Sequence, residues 1–307
     1  MRYMNPRILF MGTPDFGVPT LQALAANFHV AGVVTQPDRP AGRSRKPKPP
    51  VIKSEAKALG LPVFQPDSLH KPAAKDQIKT WNPDLIVVAA YGQILPPSLL
   101  DLPPYGCLNV HASLLPRWRG AAPIQAALLH GDQKTGVTIM KMDEGLDTGP
   151  ILIQDTVPIS PRDTAGTLFD KLSQAGAELL LKTIRPYLQG KITPRPQDDS
   201  KATYAPLLQR EDGKLSFNQS ADVLARKVRA YDPWPGTFTS WNGQRLIIHK
   251  AHAEPVTSPG IGVLSTYEEK PAIGTSQGIL VLDKVQPAGK RAMSGEDFLH
   301  GAKDWGT

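Results

Sequence analysis

Continuous apolar runs alternate with amphipathic stretches from Arg7 to Leu188. Arg7-Ile8-Leu9-Phe10-Met11 reads as a buried strand that stops at Gly12. From Phe16 to Phe28 the apolar side chains recur at helical spacing, with Leu21, Leu24 and Phe28 on one side. Val30 to Thr35 is strand-like again. Strand, helix and strand joined by short links predict a parallel sheet with right-handed crossovers. The alternation continues with a helix over 51–59, a short strand over 62–65 and a helix over 73–81. Asp84-Leu85-Ile86-Val87-Val88-Ala89-Ala90 is the strongest strand signal, an apolar run of the kind covered on both faces. Further strands are expected at 106–110, 137–142 and 151–159, with helices at 122–129 and 165–188. The expected fold class is α/β: a Rossmann-like, mostly parallel sheet with helices on both faces.

The pattern breaks near Gly190. Residues 190–206 hold Pro194, Pro196 and Pro206 with few apolar side chains, and read as a linker. Beyond them lie a helical stretch over 221–231 and short β-like runs at 236–241, 245–251, 261–265 and 278–285. Short strands broken by Gly and Pro suggest a small barrel or sandwich. The expected division is a first domain over 1–189, a linker over 190–206 and a second domain over 207–307.

Composition agrees with two packed domains. The chain has 307 residues, 40% hydrophobic and 21% charged, which suits real cores and argues against disorder. Cys107 is the single cysteine, so an intrachain disulfide and a cysteine-based zinc site are excluded. A reducing cytosol fits, and a cytoplasmic location is expected. Within Cys107-Leu108-Asn109-Val110 the thiol is expected to be buried and inert. No apolar run reaches the roughly 18 residues of a membrane span. The few residues before the first strand are expected to leave no room for a signal or transit peptide.

Charge is uneven. The net charge is +7, and Arg39, Arg43, Arg45, Lys46, Lys48 and Lys53 crowd a stretch without an acid. From 207 onward there are 12 Lys or Arg against 11 Asp or Glu. A basic loop containing Pro and Gly could order on nucleic acid phosphates. A solvated surface loop has the same composition.

Ligands of open parallel sheets bind outside the carboxyl ends of the strands. Three segments are expected there: 91–95, 109–116 and 142–149. In Asn109-Val110-His111 the two polar side chains point the same way on an extended backbone, and Val110 points into the core. An amide donor beside an imidazole can stabilise an acyl-transfer oxyanion and move a proton. A structural Asn and a surface His are equally compatible with this spacing. Asp147 lies in a Gly-rich acidic loop. A carboxylate there would orient the ring and favour its protonated form, although such a loop is also an ordinary turn. The spacing lacks the frame of a calcium loop, and no metal is expected. Gly12-Thr13-Pro14-Asp15-Phe16-Gly17 sits at the first strand-to-helix turn but is not a dinucleotide fingerprint.

Together these segments resemble the folate-dependent formyltransferases. The resemblance rests on Asn109-Val110-His111-Ala112-Ser113-Leu114-Leu115-Pro116-Arg117-Trp118-Arg119-Gly120 and on Asp147 in its Asp-x-Gly loop. Met11 to Phe16, Thr35 to Arg43 and Tyr231 to Gly236 are similar to the branch of that family acting on methionyl initiator tRNA. Ser44, where that branch often has Gly, and the proline-rich run after Lys46 depart from it. The resemblance implies 10-formyltetrahydrofolate as co-substrate, no metal, and Asn109, His111 and Asp147 as catalytic residues. It implies a folate cleft built from Tyr91, Gly92, Gln93, Ile94 and Leu95, from Ser113, Leu114, Leu115 and Pro116, and from Asp143, Glu144 and Gly145. Arg39, Arg43, Arg45, Lys46 and Lys48 are then expected to hold tRNA phosphates, and the second domain to be an OB-like β-barrel that binds tRNA. A monomer is expected. The rival amines are glycinamide ribonucleotide and a nucleotide-linked aminosugar. A rival of another class is a non-catalytic RNA-binding protein.

Overall fold

The structure, a computed structural model, describes residues 5–41 and 46–306. It divides into two compact units. The first comprises the chain up to Pro123 with Lys134–Pro158 and Phe169–Tyr204; the second comprises Ile124–Gln133, Ile159–Leu168 and the chain from Ala205.

The first unit is built on seven strands: β1 Arg7–Gly12, β2 His29–Val34, β3 Val63–Phe64, β4 Leu85–Ala89, β5 Cys107–His111, β6 Lys134–Lys141 and β7 Ile151–Pro158. Their spatial order is β7-β6-β5-β4-β1-β2-β3. The pairs among β1 to β5 are parallel. β6 runs antiparallel to β5, and β7 antiparallel to β6. Every residue of β4 is buried, as its unbroken apolar run requires.

Helices flank this sheet: α1 Val18–Asn27, α2 Val51–Ala58, α3 Pro72–Thr80, a short α4 Pro97–Leu100, and α6 Ala165–Leu188, which follows α5 Pro123–Leu129 in the chain. α6 is locked to the first strand-to-helix turn. Ser173 Oγ donates to the carbonyl of Phe16 at 2.8 Å, and Phe16 meets Phe169 edge-on at 5.4 Å. The basic segment forms a short hairpin in which Arg39–Ala41 pairs antiparallel with Lys46–Lys48.

Residues 190–204, which read as a linker, pack within the first unit. Arg195 exchanges both backbone bonds with Ile151, at 2.8 Å each.

The second unit carries α7 Ala221–Ala230 and the strands β8 Thr237–Trp241, β9 Gln244–Glu254, β10 Leu264–Tyr267, β11 Lys270–Gly274 and β12 Ile279–Pro287. They form an antiparallel sheet in the order β8-β9-β12-β11-β10. Leu224 and Val228 of α7 pack into its core with Leu246, Ile248 and Leu280. Phe298 stands edge-on to both Trp241 and Trp305, at 5.0 and 5.3 Å. Two elements escape the sequence pattern. β11 contains Pro271 and Gly274, which weaken a strand signal. α8 Gly295–Gly301 begins and ends on glycine, and is capped by Ser294 Oγ accepting from Asp297 N–H at 3.1 Å.

Candidate active site

Strand β5 supplies the first two side chains. Val110 faces α6: a Cβ built on Gly176 would lie 2.7 Å from Val110 Cγ1. Asn109 and His111 therefore share the opposite face. Both reach Asp147. Asn109 Nδ2 donates to Asp147 Oδ1 at 3.4 Å, and His111 Nδ1 stands 3.6 Å from Oδ2. The imidazole is 6% exposed, and its Nε2 lies 2.9 Å from the Trp118 carbonyl oxygen.

Asp147 reaches them by a route the strand pattern does not foresee. Because β6 is antiparallel, its Lys141 end lies beside the start of β5, and Met142 N–H donates to the Cys107 carbonyl at 2.8 Å. The 142–149 loop thus leaves from the amino end of the parallel strands, not their carboxyl end, and folds back. Asp147 has φ +54°, the left-handed region, which costs an L residue roughly 1–2 kcal/mol although Asp tolerates it better than most. The turn is closely built. Gly149 passes so near β6 that a Cβ there would stand 1.9 Å from the Lys141 carbonyl oxygen. Asp143 Oδ1 accepts from Gly145 N–H at 3.1 Å and from Thr148 Oγ at 2.7 Å.

The turn after β5 closes the other side. Trp118 also adopts a left-handed φ of +63°, which aims its carbonyl at His111. Ser113 Oγ donates to the Arg117 carbonyl at 2.6 Å, and the Leu115–Pro116 bond is cis. Gly120 N–H donates to Asp147 Oδ2 at 2.8 Å. The carboxylate is therefore held by an amide, a backbone N–H and the nearby imidazole.

Two residues of the apparent linker complete this frame. Gln197 Nε2 donates to the carbonyls of Asp147 and Gly149, at 2.8 and 2.7 Å. Its Oε1 accepts from Arg119 Nε and Nη2 at 3.1 and 2.9 Å. Arg119, 2% exposed, also pairs with Asp199 at 2.7 Å. Thr203 Oγ accepts from Trp118 N–H at 2.9 Å, and its carbonyl accepts from Arg119 N–H at 2.9 Å. No motif marks Gln197 or Thr203. The one signal was Arg119, a charge next to Trp118 that, once buried, needs a partner.

The expected cleft residues fall into three groups by exposure. Gly92, Ile94, Asp143, Glu144 and Gly145 face solvent, Ile94 at 77% exposure. Tyr91, Leu95, Ser113 and Leu115 are buried, while Gln93, Leu114 and Pro116 are half-buried. Burial pushes the Tyr91 phenol well above its ordinary range. Its carbonyl accepts from Thr13 Oγ at 2.7 Å, which ties the β4 turn to the β1 turn. Met142 packs against the cluster holding Tyr91 and Leu95. Gln93 is turned toward the 66–69 segment. Among the described residues no group of three or more His, Cys, Asp or Glu could hold a metal ion, and no helix is long and apolar enough to cross a membrane.

Of the basic residues, Arg43 and Arg45 lie outside the described residues. Lys46 and Lys48 are exposed on the hairpin, and Arg39 Nη2 bonds Gln36 at 3.2 Å. Lys53 has an acid after all: it pairs with Asp38 at 2.7 Å, and with Gln65 it holds that carboxyl below the usual range.

Residues 6–184 match the formyl transferase family, and residues 207–303 match the formyl transferase C-terminal domain. The methionyl-tRNA formyltransferase of Bacillus pumilus is 51% identical over 96% of this chain and 95% of its own length. That of Geobacillus thermodenitrificans is 48% identical over 96% and 94%. Among solved structures, an N-formyltransferase from Helicobacter canadensis, in complex with folinic acid and dTDP-3-aminofucose, superimposes with a TM-score of 0.66. It is 18% identical, over 92% of this chain and 99% of that one, so the likeness is one of fold.

Proposed function

This chain belongs to the formyl transferase family, and from that premise we propose that it transfers the formyl group of 10-formyltetrahydrofolate to the free amino group of methionyl initiator tRNA. The convergence of Asn109, His111 and Asp147 carries the chemistry. Near-full-length likeness to methionyl-tRNA formyltransferases carries the choice of amine. The aminosugar-binding neighbour is too distant in sequence to compete with it.

In this reading the unprotonated methionyl amine attacks the formyl carbon. A new C–N bond forms, and the carbonyl oxygen becomes an oxyanion that Asn109 Nδ2 and the positive charge of protonated His111 stabilise. The bond to the folate N10 then breaks. The amine gives up one proton and N10 gains one. His111 Nδ1 is the ring nitrogen placed to pass a proton, with Asp147 Oδ2 at 3.6 Å to hold the charge. Tyr91 to Leu95, Ser113 to Pro116 and Asp143 to Gly145 form the folate cleft. The exposed members meet the ligand and the buried ones support its wall. The second unit and the basic hairpin receive the tRNA. The protein acts in the cytoplasm as a monomer, without a metal.

One assay separates the amines. Purified protein with 10-formyltetrahydrofolate, offered methionyl initiator tRNA, glycinamide ribonucleotide and a nucleotide-linked aminosugar in turn, will formylate the tRNA. Preferential formylation of another amine would overturn the acceptor. Formylation of none would favour a binding protein.

A further inference from the structure

We infer that Gln197 is a positioning residue for this reaction, holding Asp147 in place through the backbone of its turn. The inference rests on the catalytic reading of Asn109, His111 and Asp147. Gln197 falls between the two family-matched regions, which end at 184 and resume at 207.

Its side-chain amide has one permitted orientation. Nε2 faces the carbonyls of Asp147 and Gly149, which only accept. Oε1 faces two N–H groups of Arg119, which only donate. A flipped amide would oppose all four partners. Arg119 is itself fixed, buried, paired with Asp199 at 2.7 Å and held at its backbone N–H by Thr203. Its planar fork therefore presents a fixed pair of donors.

The turn that Gln197 bridges needs such a clamp. Asp147 sits at φ +54°, and conformations of this kind persist where the surroundings over-determine them. Gln197 joins the carbonyls on both sides of Thr148, so the 147–149 backbone cannot swing as a hinge. The neighbouring step, Arg119-Gly120, grips Asp147 twice. Gly120 N–H holds Oδ2 directly, while Arg119 holds the backbone through Gln197. With both ends fixed, Oδ1 meets Asn109 and Oδ2 faces His111. A misplacement of about 1 Å in such a group costs on the order of 100-fold in rate. If Gln197 only anchored a connecting segment, its loss would lower stability and spare turnover.

The test is a double-mutant cycle. Gln197→Met keeps the length and removes every polar contact. Gln197→Glu keeps the acceptor for Arg119 and replaces the donors with an oxygen facing two carbonyls. Steady-state kcat, KM for both substrates and melting temperature are measured for these variants, for Asp147→Asn, and for each Gln197 change combined with Asp147→Asn. The expected result is a kcat loss on the order of 100-fold in both Gln197 variants, with KM for 10-formyltetrahydrofolate little changed. In the Asp147→Asn background the same change should cost far less, because the carboxylate it positions is gone. Wild-type kcat in either folded Gln197 variant, or losses that multiply in full, would overturn the inference. So would failure of both variants to fold, which would make Gln197 a structural residue. Wild-type turnover in Asp147→Asn would sink the catalytic reading beneath it instead.

Discussion

His111 Nε2 lies 2.9 Å from the main-chain oxygen of Trp118, and this contact assigns the tautomer of the ring. A carbonyl oxygen only accepts, so Nε2 carries a hydrogen in either charge state. Nδ1 is left as the nitrogen that gains or loses a proton, and it faces Asp147. The left-handed backbone of Trp118 therefore sets which ring nitrogen faces Asp147 with its lone pair available.

On the proposed mechanism, His111→Ala removes both the oxyanion-stabilising charge and the proton-passing nitrogen while leaving the exposed residues of the proposed cleft in place. Turnover should fall about 10²- to 10⁴-fold, the usual worth of a positioned acid or base. Affinity for 10-formyltetrahydrofolate, read by equilibrium binding, should change little. Near-normal turnover would remove His111 from the chemistry.

Gly149→Ala tests the tightness of the Asp147 turn. The added methyl would stand 1.9 Å from the Lys141 carbonyl and 3.3 Å from the Asp143 nitrogen, both backbone atoms. The turn must shift, at a cost of about 1–3 kcal/mol in denaturant titrations. Because Gln197 reads the Gly149 carbonyl, kcat should fall as well. A variant of unchanged stability and rate would show that the turn has slack.

Cys107 gives a pH signature. Burial, with Asp101 adding and Lys141 opposing, pushes its thiol up to about 12. The native thiol stays neutral near pH 8, so disulfide reagents should label it only on unfolding. The ordinary value is 9.0, so between about 9 and 12 the folded chain keeps a proton that the unfolded chain has lost. Stability contributed by this group is present below that window and falls as pH rises through it. Urea midpoints across this range should decline, less steeply in Cys107→Ala. Identical slopes would contradict the assignment.

Lys46 and Lys48 stand exposed on the basic hairpin. If they grip phosphates, replacing each with Ser should reduce the slope of log affinity for tRNA against log salt by roughly 1. Turnover at saturating tRNA should be kept. An unchanged slope would return the hairpin to an ordinary solvated loop.

The parallel core was legible because β1, β2 and β4 are nearly all apolar and short links join them. The common facing of Asn109 and His111 was legible too, since it follows from the two-residue period of a strand. The arrival of Asp147 was expected from the family resemblance but not from the strand pattern, because its route depends on β6 reversing direction. Gln197 and Thr203 left no trace in the pattern. They act through hydrogen bonds spanning 48 to 85 residues, and prolines around them mimic a linker. Lys53 looked unpaired because its acid, Asp38, lies just outside the basic run.

The make-up of the second compact unit has a consequence for synthesis. Arg226 Nε donates to the Leu129 carbonyl, Arg229 to that of Asp163, and Gly166 N–H to that of Asp232. Residues 124–133 and 159–168 thus leave the ribosome well before the partners that finish their bonding. At roughly 5–20 residues per second that interval lasts several seconds. During it, the Leu129 carbonyl and the Gly166 N–H must bond water in place of Arg226 and Asp232. Two segments of the second unit therefore complete their hydrogen bonding only once the last third of the chain has emerged.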